Sequence, residues 1–371
     1  MLSLREKLNK AMPNAKKAVK PPPESCFVTE KRLPREMFRM PDVISRDALF
    51  LLTGEEQEDL PLKNILFLDT ETTGLSGGAG TVAFETGIGY FEENEMVIRQ
   101  YIMRDYDEEA LMLTRIKEDL NGKTHLCTFN GKTFDVPLLT SRMIMNRMRM
   151  PENVQQLDLL HISRRVWKLR LGKCNLTRLE ETVLGRERDG DLPGKDVPER
   201  YFSYLKSRDF SLLQDVLDHN FQDIASLADI LFCLLQAHTE PERLKDETDL
   251  YSVGRVLAKR GRQSEARTCF RLADKGALSA LSREQLALSL KKEGDWEGAA
   301  RVYRAMIRDR QCRVKPYIAL AKLCEHQLGD PREALKVTLD ALRICDKRDE
   351  DMMPELKKRY MRLIQKQGGT E

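Results

Sequence analysis

The sequence lacks three features that would each have indicated a distinct class of protein. Its eight cysteines are scattered and none forms a C-x-x-C pair, so the pattern predicts neither a zinc site nor a disulfide framework and is typical of the reducing cytoplasm. No run of about 18 apolar residues occurs, so no membrane-spanning helix is predicted. Lys and Arg total 62 against 59 for Asp and Glu, so net charge alone favours no kind of partner.

Composition changes along the 371 residues indicate several segments. Residues 1–24 are basic and end in a run of prolines, which predicts a disordered or extended arm, with an organellar presequence as the alternative. Residues 25–60 are expected to form an irregular lead-in. A mixed α/β domain is predicted over residues 61–237, helical repeats over 246–346, and a C-terminal helix or tail over 347–371.

Apolar patterns predict the elements of the mixed domain. Strands are predicted at 65–68, 81–91, 96–103 and 125–129, and helices at 108–120, 137–148, 157–167 and 212–235. A strand, a hairpin, a helix, a further strand and then helices is the order expected of a mixed sheet covered by helices. The predicted fold class is therefore α/β, followed by an all-helical domain.

Asp69 and Glu71 end the first predicted strand, after the apolar run Ile65-Leu66-Phe67-Leu68. Alternate side chains of a strand point to the same side, so both carboxylates are expected on one face. Two like charges beside a hydrophobic strand are unfavourable unless a cation lies between them, and oxygen ligands suit Mg²⁺ or Mn²⁺ rather than zinc. The pair predicts half of a two-metal site that cleaves phosphodiester bonds, although alone it is also compatible with a turn or a helix cap.

Two further blocks carry acidic residues in suitable positions. Asp135 follows a strand and opens a helix, and capping that helix is its alternative role. In the long last helix of the domain, Asp223 lies four residues after His219, so both project from one face. Asp215 and Asp218 are alternatives for the acid of this block, and Asp223 is preferred because it shares a face with His219.

In this order, the D-x-E, N-x-x-x-F-D and late-helix Asp blocks resemble the DEDD exonuclease group of the ribonuclease H-like superfamily. The stretches 67–81 and 129–137 resemble, more closely, the bacterial YprB-like proteins, which are similar in joining such a domain to a helical tail. The resemblance covers residues 60–345 approximately. It implies a ribonuclease H-like mixed sheet flanked by helices.

The resemblance also implies roles for individual residues. Asp69, Glu71, Asp135 and Asp223 would hold two Mg²⁺ or Mn²⁺ ions. The DEDD group places either a His five residues or a Tyr four residues before its last Asp, to orient or deprotonate the attacking water. This chain departs from both patterns, because His219 is a His at the Tyr spacing. His219 is predicted as the general base, since imidazole titrates near neutrality, and a hydrogen bond within the helix surface is the alternative.

A basic segment is predicted to contact the substrate. Residues 142–178 carry nine Lys or Arg residues against two acids, and within them Arg164, Arg165 and Lys168 surround Trp167. Cations beside an aromatic ring suit attraction to phosphates and base stacking on a single strand. A solvated helix face with a buried Trp is the alternative.

Two features near the acid blocks are also expected to serve the site. Asn130 is predicted to orient the substrate or neighbouring groups. The glycines between residues 74 and 80 lack the spacing of a nucleotide-binding loop and predict a tight turn beside the first acids.

A period near 34 residues marks the C-terminal region. Glycines recur 33 and 35 residues apart, each followed five residues later by an alanine: Gly261, Gly294 and Gly329, then Ala266, Ala299 and Ala334. The pattern resembles the tetratricopeptide (TPR) repeat, and an unrelated helical bundle is the alternative. Because fewer than three good repeats rarely stand alone, this region is predicted to pack partly against the preceding domain.

The predicted function is a metal-dependent 3′–5′ exonuclease that acts on single-stranded ends of DNA or RNA. Its helical repeats would bind a protein partner or orient the substrate. The alternative is a catalytically weak or inactive nucleic-acid-binding or TPR adaptor protein. The presence of all the acidic residues favours the enzyme, because a decayed site is expected to lose some of them.

Overall fold

The computed structural model describes residues 25–74, 80–188, 192–310 and 313–368, so the predicted N-terminal arm at 1–24 lies outside the described residues. The strands of the described chain are β1 Phe27–Pro34, β2 Val43–Ile44, β3 Leu60–Pro61, β4 Ile65–Thr72, β5 Ala83–Phe91, β6 Glu95–Ile102, β7 His125–Thr128 and β8 Gln155–Asp158. The helices are α1 Arg46–Thr53, α2 Glu109–Leu120, α3 Asp135–Met145, α4 Leu159–Leu171, α5 Leu176–Leu179, α6 Val197–Ser207, α7 Gln214–Thr239, α8 Glu247–Lys259, α9 Gln263–Leu272, α10 Ser279–Lys292, α11 Trp296–Arg308, α12 Val314–His326, α13 Pro331–Ile344 and α14 Met353–Gly368.

Six strands form a mixed sheet in the order β1-β6-β5-β4-β7-β8. The antiparallel half contains β1, β6, β5 and β4, whereas β4, β7 and β8 run parallel. Parallel neighbours need a crossover connection, and α2 and α3 lie in the connections before and after β7. The predicted α/β sheet flanked by helices is confirmed, and it is followed by an all-helical region.

The prediction of an irregular lead-in at residues 25–60 is wrong. β1 pairs with β6 in register from Phe27 opposite Ile102 to Pro34 opposite Glu95, and α1 follows it. β1 is an edge strand whose side chains are mostly exposed and include several charges, as is common where a sheet edge must resist further pairing. Apolar alternation is therefore weak in its sequence, which is why the pattern did not reveal it.

Strand β4 lies between two hydrophobic cores. Ile65 and Phe67 contact the core that contains Ile224 and Leu227 of α7, whereas Leu66 belongs to the core on the opposite face. Because side chains alternate along a strand, Asp69 and Glu71 continue the row of Ile65 and Phe67. The sequence of β4 thus directs both carboxylates towards the face that α7 covers.

The helical region is built from consecutive helices that each pack against the next, from α8 to α14. The repeated glycines adopt positive φ angles of 83°, 80° and 65° at Gly261, Gly294 and Gly329. The alanines five residues later are fully buried at the helix contacts. The period in the sequence therefore marks a repeated turn and a repeated close contact between helices.

The helical region also packs against the sheet domain, as predicted. Arg170 of α4 forms an ion pair with Asp249 of α8 at 2.8 Å. Apolar residues of α8 and α9, including Leu250 and Phe270, belong to the same core as Trp167 of α4. Among the described residues, no helix combines the length and the apolar composition needed to cross a bilayer.

Candidate metal centre

Side chains from β4 and α7 meet where β4 ends. His219 Nε2 lies 3.6 Å from Glu71 Oε1 and 3.6 Å from Asp223 Oδ2. Single ligand atoms of Glu71, His219 and Asp223 all lie within 4.8 Å of one another, a spacing that can hold a metal ion. The spacing of four residues in α7 is what brings His219 and Asp223 to the same face of the helix.

Asp69 adjoins this cluster and is held by α7. Asn220 of α7 donates a hydrogen bond from Nδ2 to Asp69 Oδ2 at 3.1 Å. Burial raises the pKa of Asp69 well above its usual range, and the negative charges of Asp223, Asp135 and Glu71 raise that pKa further. Those carboxylates lie close enough to repel one another, and a bound cation relieves this repulsion.

Asp135, in the first turn of α3, lies near enough to Asp69 for its charge to raise the pKa of Asp69. The Thr70 hydroxyl, on the strand between Asp69 and Glu71, donates a hydrogen bond to Asp135 Oδ1 at 2.5 Å. Burial raises the pKa of Asp135 to about 6, against the lowering effect of that bond. The charges of Asp135, Glu71 and Asp223 all act on Asp69, so the four predicted acids, which come from three separate elements, lie near one another.

The turn before Asp135 is fixed by a fifth carboxylate, that of Asp158 at the end of β8. Asp158 accepts hydrogen bonds from the backbone N–H groups of Asn130 at 2.9 Å and Lys132 at 3.2 Å. It also caps α4 through the backbone N–H of Leu160 at 3.0 Å. Asp158 thus ties the start of α4 to the turn that presents Asp135.

The two alternative acids of α7 lie outside the cluster. Asp218 is half exposed and lies 3.5 Å from the ammonium of Lys31. Asp215 is more than half exposed and pairs with Arg200 at 3.4 Å. The geometry therefore favours Asp223 as the acid of this block.

An arginine that the sequence reasoning missed lies within the cluster. The Arg188 guanidinium contacts Asp223 Oδ1 and lies 3.3 Å, through Nη1, from His219 Nδ1. A guanidinium has no acceptor, so His219 Nδ1 must accept this bond, and a neutral imidazole then carries its proton on Nε2. Arg188 follows a π-helical turn, a type of irregularity that often occurs at functional sites.

A chain of buried, hydrogen-bonded polar side chains connects the sheet to Asp69, which adjoins the cluster. Gln100 of β6 donates from Nε2 to Asn220 Oδ1 at 3.2 Å and to Glu85 Oε1 at 2.9 Å. Asn220 in turn donates to Asp69, so the chain leads from the sheet to a predicted metal ligand. Sequence reasoning missed Asn220, although it lies directly after His219 on the helix.

Glu85 is fully buried at the far end of this chain. Among the described residues, its Oε2 atom has no hydrogen-bond partner. Burial raises the pKa of Glu85 to about 8, with smaller contributions from the charges of Asp223 and Asp218. The folded protein therefore favours the protonated, neutral form of the Glu85 carboxyl group.

Replacing Glu85 by glutamine is expected to flatten the pH dependence of stability. The folded protein holds the Glu85 proton more tightly than the unfolded chain, whose pKa is near 4.5. Wild-type stability is therefore lost as pH rises from that value towards about 8, by an amount on the order of a few kcal/mol. Urea unfolding without metal should show Glu85→Gln to be more stable than wild type at pH 8 and similar at pH 4.5. Equal differences at both pH values would contradict this account.

Two of the four residues of α4 predicted to contact the substrate make structural contacts, and the other two remain predictions. Trp167 is 2% exposed and packs in the core, so it has no face available for a base, and its predicted stacking role is wrong. The guanidinium of Arg165 donates to the backbone carbonyl of Leu52 at the end of α1, which is a structural contact. Arg164 and Lys168 are exposed. The basic residues in the sequence indicated that this helix has an exposed face, but they did not indicate that Trp167 is buried.

Asn130 and the glycine-rich turn complete the surroundings. Asn130 adopts a left-handed conformation, with φ of 68°, and its side-chain oxygen accepts a bond from the Thr133 hydroxyl at 2.9 Å. In the structure, Asn130 stabilises the turn before Asp135. The predicted tight turn at 74–80 falls largely on residues 75–79, which lie outside the described residues.

The chain is similar to known proteins in both of its regions. A family model for the RNase H superfamily matches residues 66–234, the part of the chain that contains all the clustered acids. A protein of Bacillus subtilis (strain 168), named YprB and described as uncharacterized, is 30% identical over 311 residues. The alignment covers 80% of this chain and 75% of that relative, so it extends from the sheet domain into the helical region.

Proposed function

Because the chain belongs to the YprB family within the RNase H superfamily, we propose that it is a DEDD-type 3′–5′ exonuclease that hydrolyses single-stranded nucleic acid with Mg²⁺ or Mn²⁺. Two observations carry the proposal: ligand atoms of Glu71, His219 and Asp223 lie within 4.8 Å of one another, and the charges of Asp223, Asp135 and Glu71 all act on the buried Asp69. The 3′–5′ polarity and the use of two ions follow from the resemblance to the DEDD group.

The donor set suits the proposed cations. Carboxylate oxygens are hard ligands of the kind that Mg²⁺ and Mn²⁺ prefer. Burial raises the pKa of Asp69 and of Asp135, and a cation bound beside them would favour their ionised forms. Asp69, Glu71, Asp135 and Asp223 would hold the ions. Bound ions would supply an activated water and would stabilise charge on the leaving oxygen.

The chain's own residues position these ligands. Thr70 and Asn220 each hold one carboxylate by a hydrogen bond, so Asp135 and Asp69 are fixed before any ion binds. Fixed ligands lower the reorganisation needed during the reaction, which is the usual source of rate enhancement in such sites. Burial of α7 against the sheet keeps the arrangement rigid.

His219 is proposed to orient the attacking water. Its Nε2 atom faces Glu71 and Asp223, and with Nδ1 accepting from Arg188 the Nε2–H group is a hydrogen-bond donor. Acting as the general base predicted from the sequence requires the ring to give up its bond from Arg188. The geometry therefore favours an orienting role over a proton-accepting role.

The helical region is proposed to be a TPR-type module that binds a protein partner or guides the strand. Its support is the repeated turn and contact geometry at positions 33 and 35 residues apart. Its packing against α4 joins it to the domain that carries the candidate metal centre.

The test uses end-labelled single strands of RNA and DNA, with a circular single strand as the control for internal cleavage. With Mg²⁺ or Mn²⁺, the wild-type protein should shorten linear strands from the 3′ end and leave the circle intact. Asp223→Asn should lower the rate by at least about 100-fold, because it removes a cation ligand. Asp229→Asn is the matched control: it lies on the same helix but pairs with Arg186, outside the cluster, and should change the rate only a few-fold at most.

Two results would contradict the proposal. Wild-type protein that binds the strands but degrades none of them with either ion would favour the adaptor function instead. Equal degradation by wild type and Asp223→Asn would indicate a contaminating nuclease.

A further inference from the structure

Arg188 is a buried cation that touches two of the residues assigned to the metal centre. Its side chain is 5% exposed and contacts the Asp223 carboxylate, while Nη1 lies 3.3 Å from His219 Nδ1. Arg188 and Asp223 are separated by 35 residues, so the contact depends on the fold and not on helix periodicity. Neither residue of this pair is an exposed surface group of the kind that forms weak ion pairs.

The guanidinium is held in place from its other side. Nε of Arg188 donates to Glu180 Oε2 at 2.6 Å, and Nη2 donates to Glu180 Oε1 at 2.5 Å. Glu180 is itself buried, begins the π-helical turn, and accepts a bond from the Ser226 hydroxyl of α7. The order of contacts is therefore Ser226, Glu180, Arg188 and then Asp223 with His219.

We propose that Arg188 is a positioning residue of the metal centre, a built-in cation that fixes Asp223 and the His219 ring and weakens the binding of a divalent cation beside them. Its effect on hydrolysis rests on the proposed function. Its effect on cation affinity does not, because that affinity can be measured without any substrate.

Removing the Arg188 side chain is expected to change cation affinity and reaction rate in opposite directions. Arg188 places a fixed positive charge next to Asp223, and like charges repel strongly where water is largely excluded. Removing that charge therefore strengthens cation binding. Arg188 also sets the orientation of Asp223 and His219, so its removal slows any reaction that needs this geometry. Removing a residue that has only a structural role would weaken cation binding and also slow the reaction.

The charge of Glu180 acts in the opposite direction. Glu180 offsets the charge of Arg188 through its paired hydrogen bonds. Neutralising Glu180 leaves Arg188 with more of its positive charge uncompensated beside Asp223, which weakens cation binding. If the role is electrostatic, replacing Arg188 and replacing Glu180 change cation affinity in opposite directions. If the ion pair only stabilises the structure, either replacement disrupts it and changes cation affinity in the same direction.

The experiment measures Mn²⁺ affinity by calorimetry and by the spin resonance of free Mn²⁺, in full-length protein without nucleic acid. Arg188→Gln should bind Mn²⁺ at least about tenfold more tightly than wild type, and Glu180→Gln should bind it more weakly. Arg188→Lys keeps the charge but lacks the planar fork, so its affinity should stay near wild type. Arg186→Gln is the matched control, because Arg186 lies on the same segment and pairs with α7 through Asp229, outside the cluster.

Hydrolysis is measured on the same variants. Arg188→Gln and Arg188→Lys should both lower kcat, by about tenfold or more, while Arg186→Gln stays near wild type. Unchanged or weaker Mn²⁺ binding by Arg188→Gln overturns the proposal, and so does a change of the same sign in Glu180→Gln. If Arg188→Gln does not fold, Glu180→Gln and Arg188→Lys decide the matter through Mn²⁺ affinity. Absence of hydrolysis by wild-type protein, with the affinity changes as expected, would refute the proposed function and leave this inference standing.

Discussion

Asp69→Asn is expected to reduce hydrolysis by at least about 1,000-fold and, at the same time, to stabilise the protein when no metal is bound. The loss of rate follows from the proposed role of Asp69 as a cation ligand beside Glu71, His219 and Asp223. The gain in stability follows from the environment of Asp69, because burial and the charges of Asp223, Asp135 and Glu71 all oppose its ionised form.

The sign of the stability effect depends on pH. Folding raises the pKa of Asp69 above its unfolded value of 3.8, so the ionised side chain disfavours the folded state at all pH values above that point. Asparagine cannot ionise, so Asp69→Asn should be more stable than wild type at pH 7 in the presence of a chelator. The difference should disappear as pH falls below 3.8, where both folded and unfolded Asp69 are protonated.

Chemical unfolding at both pH values and a hydrolysis assay check this prediction. Asp218→Asn is the matched control on the neighbouring helix, because Asp218 is half exposed and pairs with Lys31. That variant should keep both activity and stability near wild type. An Asp69→Asn protein that is inactive but also less stable without metal would show that Asp69 serves the fold and not a cation.

Gly87→Ala is the second change with a large expected effect, because Asn220 approaches the backbone of β5 at this position. A Cβ atom on Gly87 would lie 2.0 Å from Asn220 Oδ1 and 2.8 Å from its Cγ. Asn220 is fully buried and bonded to both Gln100 and Asp69, so it cannot turn aside without breaking those bonds. The added Cβ atom therefore forces Asn220 to break its hydrogen bond with Asp69, or forces α7 to move away from the sheet.

Both adjustments lower stability and activity together. We expect Gly87→Ala to reduce the free energy of unfolding by about 1–3 kcal/mol, the usual effect of overpacking a core. The hydrolysis rate should fall by about tenfold or more, because Asp69 loses the group that orients it. Urea unfolding and initial rates measure the two effects.

Gly194 provides the control for this substitution. A Cβ atom there would meet nothing within 4 Å, so Gly194→Ala should behave like wild type in both assays. Wild-type rate and stability in Gly87→Ala would mean that the close approach of Asn220 is not required for the arrangement of the site.

Local patterns in the sequence were sufficient for much of the site. Alternation along β4 placed Asp69 and Glu71 on one face, and the four-residue spacing in α7 placed His219 beside Asp223. These relations depend only on the geometry of a single strand or helix, which the sequence specifies directly. The glycine and alanine period of the helical region was readable for the same reason.

Features that depend on contacts between distant segments could not be predicted in this way. Arg188 lies in a short irregular stretch, and nothing in its immediate sequence indicates Glu180 and Asp223 as its partners. Asn220 acts through Gln100, which is 120 residues away. Trp167 was misinterpreted because a basic segment reveals its solvated face but not which of its residues packs inward.

The most direct test of the central claim is a crystal structure of the protein grown with Mn²⁺, with anomalous diffraction recorded at the manganese edge. We expect strong anomalous peaks held by the carboxylates of Asp69, Glu71, Asp135 and Asp223. The absence of any peak among these side chains, or peaks held only by groups elsewhere on the protein, would contradict it.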